Sequence, residues 1–426
     1  MLYTDRGPSP RSSMSAAAAG GSAPRPALAL ALAVALALTL SPSPAQATAG
    51  GFSCRPGARP VVFNFGDSNS DTGGMAAAKG WHIAPPEGRA FFHHPTGRFC
   101  DGRLVIDFLC ESLNISYLSP YLKAIGSNYS NGVNFAISGS TTLPRDALFV
   151  LHGQVQEFFF FKARSLELIN QGQEAPIDAE AFQNALYIID IGQNDINALL
   201  SNLPYDQVVA KLPPILAEIK YAVQVKFSFF AFCSINYHTL FTCCQDGQPQ
   251  LCFLQKLQLL YGNGSRNFWI HGTGALGCLP QKLSIPRKND SDLDQNGCLS
   301  TYNRAAVAFN TALGSLCDQL SVELKNATVV YTDLFAIKYD LVANHTKYGF
   351  DSPLMTCCGY GGPPYNYDLS RSCQSSNSTV CADGSKFISW DGVHLTEAAN
   401  AVVAAAILSS TYSRPKLKFD QFCKAR

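Results

Sequence analysis

Four short apolar runs built from β-branched and aromatic residues recur along the chain: Val61 to Phe65, Ala185 to Ile191, Asn267 to His271 and Thr328 to Thr332. Runs this short, apolar at nearly every position, read as strands buried on both faces. Between them lie stretches with helical patterning: Arg103 to Leu113, Glu157 to Asn170, Tyr205 to Gln224, Tyr302 to Leu324 and Thr396 to Ser409. Strands that alternate with helices predict a doubly wound α/β fold with a central parallel sheet. No repeat and no linker divides the chain, so one domain is expected. Such sheets bind ligands at the carboxyl ends of their strands, so the residues just after each run carry the functional information.

After the first run the chain reads FNFGDSNSDTGG, Phe63 to Gly74. Small polar residues between glycines present backbone N–H groups and hydroxyls at the sheet edge, which is either a plain turn or the seat of a nucleophile, Ser68. A serine nucleophile needs a base, an acid that orients the base, and donors for an oxyanion. Near the C-terminus, Asp391 and His394 in ISWDGVHLTEAAN are three residues apart, close enough for the carboxylate to hold the imidazole; Thr396 is a candidate cap for the following helix. Alone, Asp-x-x-His equally describes a surface turn before a helix. Candidate donors are Gly139 in GVNFAISGSTT and Asn194 in YIIDIGQNDI, a glycine that lets a carbonyl oxygen approach and an amide that supplies a directed N–H. Each is compatible with an ordinary turn, and their joint occurrence in this order carries the argument.

The four blocks Gly66-Asp67-Ser68-Asn69, Gly139, Asn194 and Asp391 with His394 resemble those of the plant GDSL esterase/lipase family, a branch of the SGNH hydrolases. GRFCDGRLVIDFL, NFWIHGTGALGCLP, FNTALGSL and KYGFDSPLMTCCGYGG are similar to that group as well, and the first block is nearest to its early-nodulin, α-fucosidase-like and acetylesterase members. Asn69 stands where the name-giving motif has Leu. The resemblance implies a three-layer α/β/α flavodoxin-like fold and a serine esterase. In it Ser68 attacks an acyl carbonyl, His394 takes the proton and Asp391 holds the imidazole, while the Ser68 and Gly139 N–H groups and the Asn194 amide form the oxyanion hole. The expected substrate is a small-molecule, carbohydrate or lipid ester with a short acyl group. An acyltransferase working through the same acyl-enzyme, and an inactive secreted glycoprotein, are the alternatives. No cofactor is expected.

Composition bounds the partners. A chain with 15% charged residues and net charge +1 lacks the electrostatic footprint for nucleic acid or an anionic membrane. The apolar run Ala27 to Leu40, ahead of Ala45-Gln46-Ala47, reads as a secretory leader over residues 1–47, too short for a stable membrane span, with Met14 an alternative start. Residues 48–426 then form the hydrolase domain, expected as a secreted, cell-wall or vacuolar monomer. Fifteen cysteines on that route predict disulfides. Seven sequons predict glycosylation at Asn114, Asn128, Asn263, Asn289, Asn326, Asn344 and Asn377.

One segment breaks the pattern. Residues 225–255 are aromatic and cysteine-rich, with Cys233, Cys243, Cys244 and Cys252, and interrupt an otherwise continuous helix. The segment opens on Val-Lys, whose codons begin with GT, and closes on Cys-Phe-Leu-Gln, which a pyrimidine tract followed by CAG encodes. It is expected to be a translated retained intron or, alternatively, a disulfide-bearing insertion, and in either case able to displace the strand Asn267 to His271.

Three features imitate other chemistry. GTGALG, Gly272 to Gly277, matches a dinucleotide fingerprint, but Pro280 and Pro286 fall where the phosphate-binding helix would run. His93-His94 cannot readily share a tetrahedral metal, and none is expected; Cys357, Cys358, Cys373 and Cys381 imitate a zinc cluster but are expected as disulfides. The block Phe158 to Phe161 reads as one buried helix face, with part available to line an acyl channel, and Tyr360 to Tyr367 as a loop bordering the substrate.

Overall fold

In the computed structural model, residues 60–144, 149–224, 260–371 and 373–422 are described. Residues 1–47, expected as a leader, and residues 225–255 lie outside the described residues. The central sheet is formed by β1 (Val62–Gly66), β2 (Gly132–Asn134), β3 (Leu186–Asp190), β4 (Asn267–His271) and β5 (Thr328–Thr332). They run parallel in the order β2-β1-β3-β4-β5, which is the flavodoxin-like order. A sixth strand, Ser413–Arg414, pairs antiparallel with β5. The sheet is therefore mostly rather than wholly parallel; a polar two-residue strand carries no apolar signal for sequence to detect.

The period of two along each strand builds the layers. Phe63, Phe65, Tyr187, Ile189, Phe268 and Ile270 face one core with Val155 and Phe158 of the helix Leu151–Asn170, Ile215 of Leu212–Val223 and Phe309 of Ser300–Glu323. Val62, Leu186, Ile188, Trp269 and Val330 face the other with Ile106 of Val105–Ser112, Ile337 of Leu334–Ala343 and Val403 of Glu397–Leu408. The result is three layers, α/β/α.

Several boundaries differ from the sequence reading. The helix Leu151–Asn170 starts earlier than expected, and the stretch Tyr205 to Gln224 forms two helices, Tyr205–Ala210 and Leu212–Val223. The break falls just before Pro213-Pro214, which enter the second helix at its start, where missing N–H groups cost no bond. The block Phe158 to Phe161 divides by helical period: Phe158 and Phe161 pack on Phe63 and Phe182, whereas Phe160 is exposed. β4 sits in full register between β3 and β5, so the irregular segment upstream has not displaced it. The Leu260 N–H donates to Ala222 O at 3.4 Å, so the chain returns to the place it left at Gln224.

Cys357–Cys381, Cys358–Cys373 and Cys278–Cys298 are disulfide-bonded. The zinc-like quartet is thus two disulfides, packed around buried Trp390.

Candidate active site

The site grows from the carboxyl ends of β1 and β3, where the strand order reverses direction. Gln154 holds the end of β1 by accepting from Gly66 N at 2.9 Å and donating to Gly66 O at 2.7 Å. Asp67 and Ser68 follow, both buried. Asp67 Oδ1 accepts from the backbone and side-chain N–H groups of Asn69 at 3.0 and 2.8 Å, folding the chain tightly around Ser68. The remaining polar residues of the stretch are anchors. Asp71 accepts from Gly73, Gly74 and Met75 N–H groups at the start of the helix Gly74–Lys79, and from Ser138 N at 2.8 Å. Asn134, at the end of β2, donates to Ser70 O at 2.7 Å and Thr72 Oγ1 at 2.9 Å and accepts from Asn64 Nδ2 at 2.8 Å.

These anchors join the first block to the second, in which Gly139 is exposed with φ +79°. A Cβ there would meet nothing within 4 Å, so the residue stands at an open surface. Asp195 joins the second block to the third by accepting from Thr142 N and Thr142 Oγ1, both at 2.9 Å. The third block differs from the expected turn: a helix, Gln193–Leu200, begins there and carries Asn194 in its first turn. Asn194 Nδ2 donates to Ser140 O at 2.9 Å and reaches Asp67 Oδ2 at 3.4 Å. Ser68, Gly139 and Asn194 are thereby brought to one rim by hydrogen bonds between their immediate neighbours.

Asp391 and His394 lie on the loop between the strand Phe387–Ser389 of a small two-stranded sheet and the helix Glu397–Leu408. His394 Nδ1 and Asp391 Oδ2 are 2.6 Å apart, while Asp391 Oδ1 accepts from Val393 N and His394 N. Gly392 turns this loop at φ +96°, and any Cβ would sit 2.2 Å from Tyr367 Cδ2, so only glycine fits. That contact brings the Tyr360 to Tyr367 loop against the dyad. Phe99 stacks on the imidazole at 5.4 Å between centroids. Behind it, Asp101 Oδ1 accepts from Glu397 N at 2.7 Å, Arg103 pairs with Glu397, and Thr396 caps the helix through Ala399 N. The GRFCDGRL stretch, then, is the cradle of the His394 loop.

Burial alone would lower the proton affinity of His394, but the Asp391 charge and hydrogen bond, assisted by Asp67, outweigh it and raise it. Asp391 moves the other way: burial opposes its ionisation, and His394 with two backbone N–H groups overcomes that. His394 Nε2 is buried and has no hydrogen-bond partner among the described residues. Nδ1 is held by a carboxylate, so Nε2 is the atom able to accept a proton.

Sequence reasoning overlooked the anchors Asp71, Asn134, Gln154 and Asp195, and also Lys338, which donates to Asn69 Oδ1 at 3.5 Å. Asp71, Asn134 and Asp195 lie inside recognised motifs, but nothing in sequence separates an anchor from a turn residue. GTGALG leads into a single 3₁₀ turn, Leu276–Cys278, and a four-residue helix, Pro280–Leu283. Its Thr273 is clamped by Asn310 through both backbone groups. His93 and His94 direct Nδ1 to the backbone carbonyls of Arg89 and Phe92. Among the described residues no group of three or more His, Cys, Asp or Glu could hold a metal ion.

The profile of GDSL-like lipases/acylhydrolases matches residues 62–407. A GDSL esterase/lipase LIP-4 of Arabidopsis thaliana is 49% identical over 372 residues, covering 86% of this chain and 90% of the relative. A GDSL esterase/lipase ACHE of Zea mays is 40% identical over 389 residues, covering 86% and 89%, and an Alpha-L-fucosidase 3 of Arabidopsis thaliana is 36% identical over 365 residues, covering 81% and 88%. The match spans all four blocks, and the chain accordingly belongs to the GDSL-like lipase/acylhydrolase family and is a carboxylic ester hydrolase.

Proposed function

We propose that the protein is a secreted serine esterase acting on short-chain acyl esters through Ser68, His394 and Asp391. The observation that carries this reading is the Asp391–His394 pair at 2.6 Å, which leaves a buried Nε2 without a partner among the described residues. In the reaction His394 Nε2 removes the Ser68 hydroxyl proton as Oγ attacks the acyl carbonyl, and Asp391 stabilises the imidazolium. The proton then passes to the leaving alkoxide as the tetrahedral intermediate collapses to the acyl-enzyme; water, deprotonated by the same nitrogen, releases the acid. The oxyanion is met by the Ser68 and Gly139 N–H groups and by Asn194, which turns its longer bond, that to Asp67, toward the substrate.

A short acyl group is what the likeness of the Phe63 to Gly74 block to acetylesterase members of the family implies. Three disulfides agree with an oxidising route. Of the seven sequon asparagines, six are exposed and Asn263 is partly so, as glycan acceptors must be.

The test is hydrolysis of p-nitrophenyl acetate and butyrate together with labelling by a serine-directed phosphonate. Ser68→Ala is expected to abolish both turnover and labelling, with acetate the better substrate for the parent enzyme. Undiminished hydrolysis by Ser68→Ala would overturn the assignment.

A further inference from the structure

Resting on that catalytic reading, we propose that Lys338 is a positioning residue for the nucleophile: its ammonium, donating to Asn69 Oδ1 and facing Asp190 and Asp67, keeps Asp67 the carboxylate that folds the Ser68 loop.

Lys338 comes from the helix Leu334–Ala343 that follows β5, and it shares a cavity with Asp190 at the end of β3 and His271 at the end of β4. Gly274 leaves room for the lysine stem, since a Cβ there would lie 2.6 Å from Lys338 Cδ and one of the two would have to shift. The glycine-rich stretch that imitates a nucleotide fingerprint is thus a gap for a lysine stem. The ammonium donates to Asn69 Oδ1 at 3.5 Å, and Lys338, Asn69, Asp190 and His271 line one cavity. His271 Nδ1 is 3.7 Å from Asp190 Oδ2. The charged or titratable groups facing Asp67 are Asp190 from β3, with its neighbour His271 from β4, Lys338 from the helix after β5, and His394 from the loop beyond.

The charge balance has a definite sign. Burial and then Asp190 push Asp67 up to about 6, while Asn69 and Lys338 oppose them; burial lowers the proton affinity of Lys338 in turn, and Asp190 and Asp67 work to keep it charged. Only the ionised carboxylate accepts the two Asn69 N–H groups and the Asn194 amide together. As pH falls and Asp67 gains a proton, the loop loses an anchor and activity falls with it. Removing Lys338 raises the pH at which this happens; removing Asp190 lowers it. A lysine that merely filled space would move neither.

The experiment measures kcat/KM for p-nitrophenyl acetate against pH in the parent enzyme, Lys338→Met, Asp190→Asn and the double variant. The acid limb, which carries His394 as well as Asp67 and feels Lys338 through both, is expected to rise by about one pH unit in Lys338→Met, fall by a similar amount in Asp190→Asn, and return near the parent position in the double variant, and the titration of the Asp67 carboxyl itself separates the two groups. KM should stay within about twofold, because neither group is placed against substrate. Limbs that stay put in both single variants overturn the proposal; if Lys338→Met does not fold, Asp190→Asn and the double variant decide. A second readout needs no turnover: the ¹³C titration of the Asp67 carboxyl moves in the same two directions, and an unmoved titration refutes the idea. Loss of the catalytic reading is recognised separately, by a parent enzyme that phosphonate does not label at Ser68.

Discussion

Asp67 shows what a buried carboxylate costs the fold that contains it. Its folded-state value of about 6 lies above the ordinary 3.8, so between those values the folded chain holds a proton that the unfolded chain has released. Stability therefore falls as pH rises through that window, by on the order of 3 kcal/mol in all. Asp67→Asn is expected to be more stable than the parent at pH 7 and nearly equal to it at pH 4, by urea unfolding at both values; a difference independent of pH would contradict this. Activity should fall in the same variant, since an amide cannot accept both Asn69 hydrogens as well as the Asn194 amide. Asn194 itself is a donor already engaged with Ser140 O, so its full contribution is expressed only when charge develops on the substrate. Asn194→Ala should lower kcat by about 10²- to 10³-fold, short of the complete loss expected at Ser68, as steady-state kinetics will show.

At the scale of elements, the loop that carries the base depends on a stretch almost three hundred residues earlier in the chain. Arg98 forms a two-pronged ion pair with Asp107 at 2.8 and 2.7 Å, and Asp107 also accepts from Leu104 N at the start of the helix Val105–Ser112. Both side chains are almost fully buried, at 7% and 0% exposure, so removing one partner leaves a charge without compensation. Arg98→Ala should cost about 3–5 kcal/mol in denaturant unfolding, with a loss below about 1 kcal/mol contradicting the buried-pair account. The elements themselves were largely legible. β4 and β5 have the bounds read from sequence, because apolar runs bounded by polar residues mark buried strands directly. The short strands β2 and Ser413–Arg414 and the break at Lys211 were not, because pairing partners and helix junctions are set by distant segments.

For the whole molecule, the irregular segment is bracketed by residues that touch. With Ala222 and Leu260 joined by a hydrogen bond and β4 in place, deletion of residues 225–255 asks little rearrangement of the sheet. The excised protein is expected to fold and to hydrolyse p-nitrophenyl acetate at least as well as the full chain; failure to fold would mean that the segment is integral. Sequence by itself determined the α/β class, the strands that make the sheet, and the identities of Ser68, Gly139, Asn194, Asp391 and His394 as candidates, since those follow from local periodicity and from residue chemistry. The tertiary structure alone decided which polar residues are anchors, what Gly274 leaves room for and how Lys338 comes to face Asp67. Such relations depend on distances between segments far apart in the chain, and no local pattern encodes a distance.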